Sequence, residues 1–222
     1  MTELIGTVRP DTKQLKGLGL VVRKECWTLS WRGKLAVILA FIGLGAGLTY
    51  SAYPFLALNQ PVGGDFMVLE GWTIPHRVAT EVAAEFKHGH YRKLLVLEDS
   101  YDGEYSDPTD RLVQHGIPRD VIENVIYPGV QRDRTYHAAI IASDWFHRND
   151  PSVPCFDVVT VGPHARRSLM MFRKVFEKNA KIGVIALDDT FYDPKHWWHT
   201  SEGVRELQGE VIAYVYAQVY YR

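Results

Sequence analysis

Two apolar runs of strand length lead directly into segments that carry histidine or arginine. FDVVTV is followed by GPHARR, which contains His164 and Arg167, and VIENVIY is followed by a helical pattern that starts near Arg134 and Thr135. A helix that begins at such a point directs free backbone N–H groups at a ligand, and guanidinium groups bind phosphate or carboxylate. The pattern predicts an anion site in which His164 also transfers a proton. The alternative is that His164 only caps its helix.

Two further loops carry charged residues of interest. Glu70 and Gly71 follow the first apolar run, and Arg77 lies in the first turn of the next helix, where it either grips an anion or is a solvated charge. Glu104 ends the acidic loop EDSYDGE, which could supply a catalytic carboxylate, bind a cation or simply be solvated.

No familiar cofactor or metal motif occurs outside these clusters. The GLGAG stretch lies in the most apolar part of the chain, where it cannot hold a pyrophosphate, and no phosphate-loop lysine motif, HExxH or GxSxG is present. HWWH at 196–199 has two histidines without a third ligand at metal spacing, so we expect no metal there and interpret the tryptophans as a lid or packing surface. The sequence leaves the cofactor unknown.

The elements that position these residues alternate between strand and helix patterns. Predicted strands cover 66–69, 94–98, 121–127, 156–161 and 182–187, and predicted helices cover 75–88, 108–115, 135–147, 165–178 and 202–221. Continuous apolar strands separated by helices predict an α/β fold: a three-layer Rossmann-like domain with a mostly parallel five-stranded sheet. Ligands of such sheets bind beyond the carboxyl ends of the strands, where the charged loops lie.

A membrane helix is predicted ahead of this domain. No charged residue occurs between Lys34 and Asp65, and 35–58 supplies the roughly 20 apolar residues that cross a bilayer. A buried helix of a soluble protein would show a polar stripe, and a cleaved signal peptide has a shorter apolar core and a shorter basic leader. We therefore expect a basic cytoplasmic tail (1–34), a transmembrane helix (35–58), a linker (59–64) and an extracytoplasmic domain (65–222).

Charge sets the expected orientation and the expected partners. Basic residues precede the span and none follows it directly, which predicts a single-pass membrane protein with its N-terminus in the cytoplasm and its C-terminal domain in the periplasm or outside. The net charge of −1, from 25 basic and 26 acidic residues, argues against nucleic acid as a partner. The bilayer is the expected partner, and Gly43 and Gly47 form one GxxxG pair through which a dimer is possible.

The outer domain resembles the YdcF/SanA/ElyC-like family of bacterial envelope proteins. The resemblance rests on an early Arg77, a Gly-Ile-Pro turn at 116–118, Arg134-Thr135-Tyr136, the HxxR pair His164 and Arg167, and a terminal ELQG segment, over about 65–216. It implies a Rossmann-like fold, anchoring in the inner (cytoplasmic) membrane of a bacterium, and a role in envelope integrity, peptidoglycan or lipid-carrier metabolism.

By that resemblance the pocket residues are Arg77, Thr135, His164 and Arg167, supported by Glu206, with Glu104 in place of an acidic residue of the family. The chain departs from the family pattern at EGW (70–72), EDS (98–100) and HA (137–138).

Three functions are compatible with these features. The first is binding, with or without processing, of an anionic, phosphate-bearing glycan or polyprenyl-linked envelope precursor, with arginines on the phosphate and His164 shuttling a proton. The second is a non-catalytic scaffold in envelope or exopolysaccharide assembly, which the altered turns favour. The third is a nucleotide or S-adenosylmethionine binder, although an outward-facing domain has little access to those cytoplasmic compounds.

Overall fold

A computed structural model describes residues 28–71, 76–100, 108–152, 155–177, 179–188 and 191–221, without the side chains of His76 and Arg77. By its contacts the chain divides inside the first helix into two compact units, Met1–Ala46 and Gly47–Arg222. The helices are α1 (Trp31–Leu56), α2 (His76–His88), α3 (Pro108–Gln114), α4 (Arg134–Asn149), α5 (Ala165–Phe176) and α6 (Ser201–Tyr220). The strands are β1 (Phe66–Glu70), β2 (Lys93–Asp99), β3 (Ile122–Tyr127), β4 (Cys155–Val161) and β5 (Lys181–Leu187).

The five strands form one parallel sheet in the order β3-β2-β1-β4-β5. This confirms the α/β class and the five-stranded parallel sheet expected from the sequence. The order reverses direction between β1 and β4, and at such a point the loops after two neighbouring strands diverge and leave a crevice at their carboxyl ends. The fold therefore puts a binding crevice beside Glu70 and Gly162.

Both faces of the sheet are covered, as continuous apolar strands require. On one face α4 and α5 pack an aromatic core in which the ring of Phe156 lies between those of Phe146, Phe172 and Phe176. On the other face α2 and α3 contribute Val78, Val82, Phe86 and Leu112 to a second core. These two layers fix the directions in which the strand ends point.

The first helix is long and apolar enough to cross a membrane. It has 26 residues and begins four residues earlier than expected, because Ser30 accepts a hydrogen bond from the Gly33 amide (3.3 Å) and so supplies a cap within the polar flank. It ends two residues earlier than expected. Gln60, in the predicted linker, then pairs with Val184 of β5 through two backbone hydrogen bonds of 2.8 and 3.1 Å.

A buried carboxylate holds the start of the outer domain in place. Asp157, in the middle of β4 and without solvent exposure, accepts hydrogen bonds from the amides of Val62 (2.7 Å) and Gly63 (3.0 Å) and from the Tyr91 hydroxyl (2.8 Å). Burial and this bond to Asp157 raise the pKa of Tyr91 far above its ordinary value, so the hydroxyl remains a donor. The carboxylate of Asp157 therefore has a structural role, and it lies away from the crevice.

Candidate functional site

The sheet delivers two ionisable side chains to the crevice from adjacent strands. Glu70 is the last residue of β1, and its side chain is 1% exposed. After β4 the chain turns through a short 3-10 helix, Gly162–His164, before α5 begins. Gly162 has a φ of 48°, in the left-handed region that glycine adopts without strain, and this turn brings His164 back over the strand ends.

A chain of hydrogen bonds runs through His164. Its Nδ1 lies 2.9 Å from Oε1 of Glu210, which α6 contributes, and its Nε2 lies 3.2 Å from Oγ1 of Thr135 at the start of α4. Arg167, one turn into α5, donates from Nη1 to Thr135 Oγ1 (3.1 Å). The fork of Arg167 also grips Glu210, from Nε to Oε2 and from Nη2 to Oε1, at 2.9 Å each.

The chemistry of these groups fixes where the protons lie. The guanidinium of Arg167 can only donate hydrogen bonds, and an ionised Glu210 can only accept them. Nδ1 of His164 therefore carries a proton and donates a hydrogen bond to Glu210. The 2.9 Å between Nδ1 and Nη2 of Arg167 then separates two donors that share Oε1. At Nε2 the Thr135 hydroxyl donates to a neutral imidazole and accepts from a charged one. His164 therefore changes protonation state without losing a hydrogen bond, as a proton-transfer group requires.

Glu210 is the charged anchor of this cluster. Burial by itself would raise the pKa of its carboxyl, but the hydrogen bonds from His164 and Arg167 and their charges outweigh burial and lower the pKa to about 2. The side chains of Arg167 and Glu210 are 18% and 15% exposed, so the pair is largely shielded from water. An acid held ionised next to Nδ1 orients the imidazole and stabilises its cationic form.

Glu70 lies on the other side of the imidazole. Its Oε2 accepts a hydrogen bond from the buried Ser168 hydroxyl (2.7 Å) and lies 3.7 Å from Nε2 of His164. His164 thus sits between two carboxylates, one in direct hydrogen-bond contact and one at a longer distance.

The cluster opens into a cavity of about 330 Å³ between α4, α5 and α6. Arg134, Tyr136, Tyr216 and Tyr221 form its outer walls, with the Tyr136 and Tyr221 rings 4.7 Å apart between centroids. Burial, the nearby Asp133 carboxylate and a hydrogen bond to it raise the pKa of Tyr221 to about 12. The cavity therefore combines cationic and proton-donating groups with aromatic faces.

Arg134 differs from Arg167 in how its charge is used. The Arg134 side chain is 59% exposed, and its ion pair with Asp99 is long, at 3.9 Å. The residue before it, Asp133, does not cap α4 with its side chain, and the first residues of this 16-residue helix line the same cavity. The guanidinium of Arg167 is already paired with Glu210, so Arg134 and the start of α4 are better placed to bind an anion.

The other residues chosen from the sequence lie in different places. Gly71 follows Glu70 at the strand end, where a Cβ would come within 2.6 Å of the Leu97 carbonyl oxygen, so only glycine fits there. Glu206 lines a separate cavity with Phe191, Glu202 and Arg205. The Arg77 side chain and the whole of Glu104 lie outside the described residues.

The carboxylate that reaches the cluster, Glu210, was missed by sequence reasoning. It lies one helical turn after Glu206 on α6, so both fall on neighbouring positions of one face. The sequence does contain a signal for this residue, because Glu210 is the last charged residue before an uncharged stretch that continues to Tyr221. An acid at the border of such a stretch is a candidate for burial with a partner.

Metal ligation finds no support in the described part of the chain, where no group of three or more His, Cys, Asp or Glu side chains is placed to hold an ion. In the HWWH segment Trp197 is buried against Tyr53, Leu56 and Leu207. Of the two roles considered for the tryptophans, a lid or a packing surface, this contact corresponds to packing. His196 instead bonds the neighbouring Asp193 at 2.6 Å.

Comparison of the chain with known protein families, curated proteins and solved structures finds no match. The geometry of the cluster and its cavity is therefore the basis for a function.

Proposed function

We propose that the protein is a single-pass inner-membrane protein, anchored by α1, whose outward-facing domain binds the phosphate-bearing head of a polyprenyl-linked or glycan envelope precursor in the His164 cavity. The observation that carries the proposal is the chain Glu210–His164–Thr135, which ends in a cavity lined by Arg134 and tyrosines. Basic residues before the span support the orientation. The resemblance to the YdcF/SanA/ElyC-like family supports the envelope role.

The phosphate contacts in this proposal come from Arg134 and the start of α4. A guanidinium at the start of a helix stabilises an anion through its charge, through directed hydrogen bonds and through the helix dipole. The packed pair of Tyr136 and Tyr221, together with Tyr216, gives the cavity an aromatic wall for a sugar or for the first isoprene unit. Arg167 is a positioning residue, because its fork orients Glu210 and Thr135 around the imidazole.

Any reaction in the cavity would use His164 as its acid or base. Nε2 accepts the proton of an attacking hydroxyl that takes the place of the Thr135 hydroxyl, and Glu210 stabilises the imidazolium. As the bond from phosphorus to the leaving oxygen breaks, the imidazolium returns the proton to that oxygen. The arrangement suits hydrolysis or transfer at a phosphate ester, since both reactions need a proton moved at an oxygen next to a bound phosphate.

Binding of polyprenyl monophosphate to the full chain in detergent micelles tests the proposal. Arg134→Gln should weaken binding at least about tenfold, as expected for loss of one charged contact worth 1.5–3 kcal/mol. Arg119→Gln is the matched control, because Arg119 is equally exposed (63%) and is paired with Asp110 away from the cavity. Equal affinities for the two variants would contradict the assignment.

A scaffold without catalysis is the second candidate, favoured by one observation. The bidentate pair of Arg167 and Glu210 satisfies itself, as structural ion pairs do. Complementation of a deletion strain separates the two functions. A scaffold survives His164→Ala if the protein still reaches the membrane, whereas a binding or catalytic site that uses the imidazole does not.

A further inference from the structure

The second half of α6 has an apolar face that points away from the domain. No charged residue occurs from Val211 to Tyr221. The large side chains of this stretch are exposed, with Ile212 at 70% and Val219 at 74%, and Val215, Tyr216 and Tyr220 also exposed. Spacings of three and four residues place Ile212, Val215 and Val219 on one stripe. An amphipathic helix in water would show the reverse, with its apolar stripe toward the core.

The same stretch forms one wall of an apolar groove of about 960 Å³. The opposite wall is the last part of α1, from Leu48 to Leu56, and Trp197 and Leu207 close one end. Packing inside the domain fixes the two walls, since the rings of Phe55 and Tyr214 meet edge to face at 5.7 Å. The groove is thus a built feature of the unit that begins at Gly47.

A cationic contact lies near the end of α1. Arg166 of α5 donates to the carbonyl oxygen of Phe55, and its guanidinium carbon lies 3.9 Å from the centre of the Phe55 ring. A guanidinium is costly in hydrocarbon and is common at its boundary, next to aromatic rings. Leu48, seven residues before Phe55, lies about 10 Å farther along α1, so a boundary near Phe55 would put this wall of the groove in the outer leaflet.

We propose that the groove and the exposed stripe of α6 (Ile212, Val215 and Val219) lie in the outer leaflet and are filled by the hydrocarbon chains of bilayer lipids. The groove is continuous with the surface of α1 that the bilayer must cover, and this continuity identifies its occupant. The four tyrosines of the stretch, Tyr214, Tyr216, Tyr220 and Tyr221, have the amphipathic rings that lie at the head-group level.

This placement brings the polar cavity to the membrane surface. The half-helix that presents Val211, Ile212 and Val215 to the groove presents Glu210, Ala213 and Ala217 to the His164 cavity on its other side. A ligand with a phosphate head and a long apolar tail could occupy both sides of α6 without leaving the bilayer. The inference rests on the membrane anchoring of the proposed function, but not on its ligand.

Depth-dependent fluorescence quenching tests the placement in the full chain, reconstituted in phosphatidylglycerol–phosphatidylethanolamine vesicles. With Cys26 and Cys155 replaced by serine, fluorophores are attached at Ile212→Cys, at Val219→Cys and, as a control, at Ser152→Cys, an exposed site before β4. A nitroxide on the lipid chain should quench the two α6 labels several-fold more than the control. Water-soluble iodide should show the opposite order.

Two results would overturn the proposal. Quenching of the α6 labels by iodide alone would leave the stripe in water, and protection from both quenchers would assign it to a second copy of the chain. If a labelled variant does not fold, a phospholipid with a photoreactive diazirine at the end of one acyl chain is crosslinked to the unaltered protein. Adducts should map to 211–221 as well as to α1, and adducts confined to α1 would reject the inference.

The outcome is separable from that of the ligand proposal. If the binding of polyprenyl monophosphate does not depend on Arg134, the depth profile of α6 is unaffected. Conversely, an α6 stripe exposed to water leaves the Arg134 comparison intact.

Discussion

Replacing Glu210 by glutamine tests how much the His164–Arg167–Glu210 cluster contributes to the free energy of unfolding. The substitution keeps the shape of the side chain, removes its charge, and replaces one of the two acceptor oxygens that bind Arg167 and His164 by an NH2 donor. A fall in the pKa of Glu210 from an ordinary 4.5 to about 2 corresponds to roughly 3 kcal/mol of preferential stabilisation of the ionised group in the folded chain. We expect the variant to lose about that amount at neutral pH, as is usual when one partner of a buried pair is removed.

The sign of the pH dependence follows from the lowered pKa. The stabilisation is fully present above about pH 4.5, where the unfolded chain is also ionised, and it is lost as the pH falls through about 2. The difference in unfolding free energy between wild type and Glu210→Gln should therefore shrink from about 3 kcal/mol near pH 7 to about 1.5 kcal/mol near pH 3.

Urea unfolding of the full chain in detergent micelles, followed by far-ultraviolet circular dichroism, measures this difference. Asp144→Asn, which removes a charge from an exposed position of α4, is the control and should change the free energy of unfolding by less than about 0.5 kcal/mol. A Glu210→Gln loss below about 1 kcal/mol near pH 7, or one that stays constant down to pH 3, would refute the reasoning about the pair.

Three further substitutions test other contacts. Thr135→Val removes the hydroxyl between Arg167 and His164 and should cost about 1–3 kcal/mol in urea unfolding, whereas a neutral change would mean that the hydroxyl contributes no net hydrogen bond. Asp157→Asn leaves two linker amides and Tyr91 with one acceptor oxygen and should cost about 2–3 kcal/mol by the same assay; full stability would show that water replaces the carboxylate. Gly183→Ala adds a Cβ that would lie 2.6 Å from the Val62 nitrogen, so its melting temperature should fall by several degrees, and an unchanged value would show that the linker yields freely.

The fold could be predicted from the sequence because its signals are local. Buried parallel strands such as β4 and β5 are continuous apolar runs, and the helices between them repeat at helical spacing, so type and order follow from patterning. Boundaries such as the start of α1 depend on one side-chain cap, which hydropathy does not detect. The strand order depends on which strands pair across long loops and carries no comparable local signal.

The site was only partly predictable for a related reason. His164, Arg167, Thr135 and Arg134 follow strand ends, and the rule that ligands bind there brought them together in the prediction. Glu210 comes from the middle of a terminal helix, and its approach to His164 depends on how α6 packs on α5. The sequence likewise did not indicate that the guanidinium of Arg167 forms a bidentate pair with Glu210. Because of this pair, the expected anion contact moves to Arg134.

The most direct test of the account is mass spectrometry of the lipids retained by the full chain after gentle extraction from bacterial membranes. The account predicts a phosphorylated polyprenyl lipid, with or without sugar, on the wild type and on Arg119→Gln, and its depletion on Arg134→Gln. Identical lipid profiles for all three proteins, or the absence of any phosphorylated polyprenyl lipid from the wild type, would contradict it.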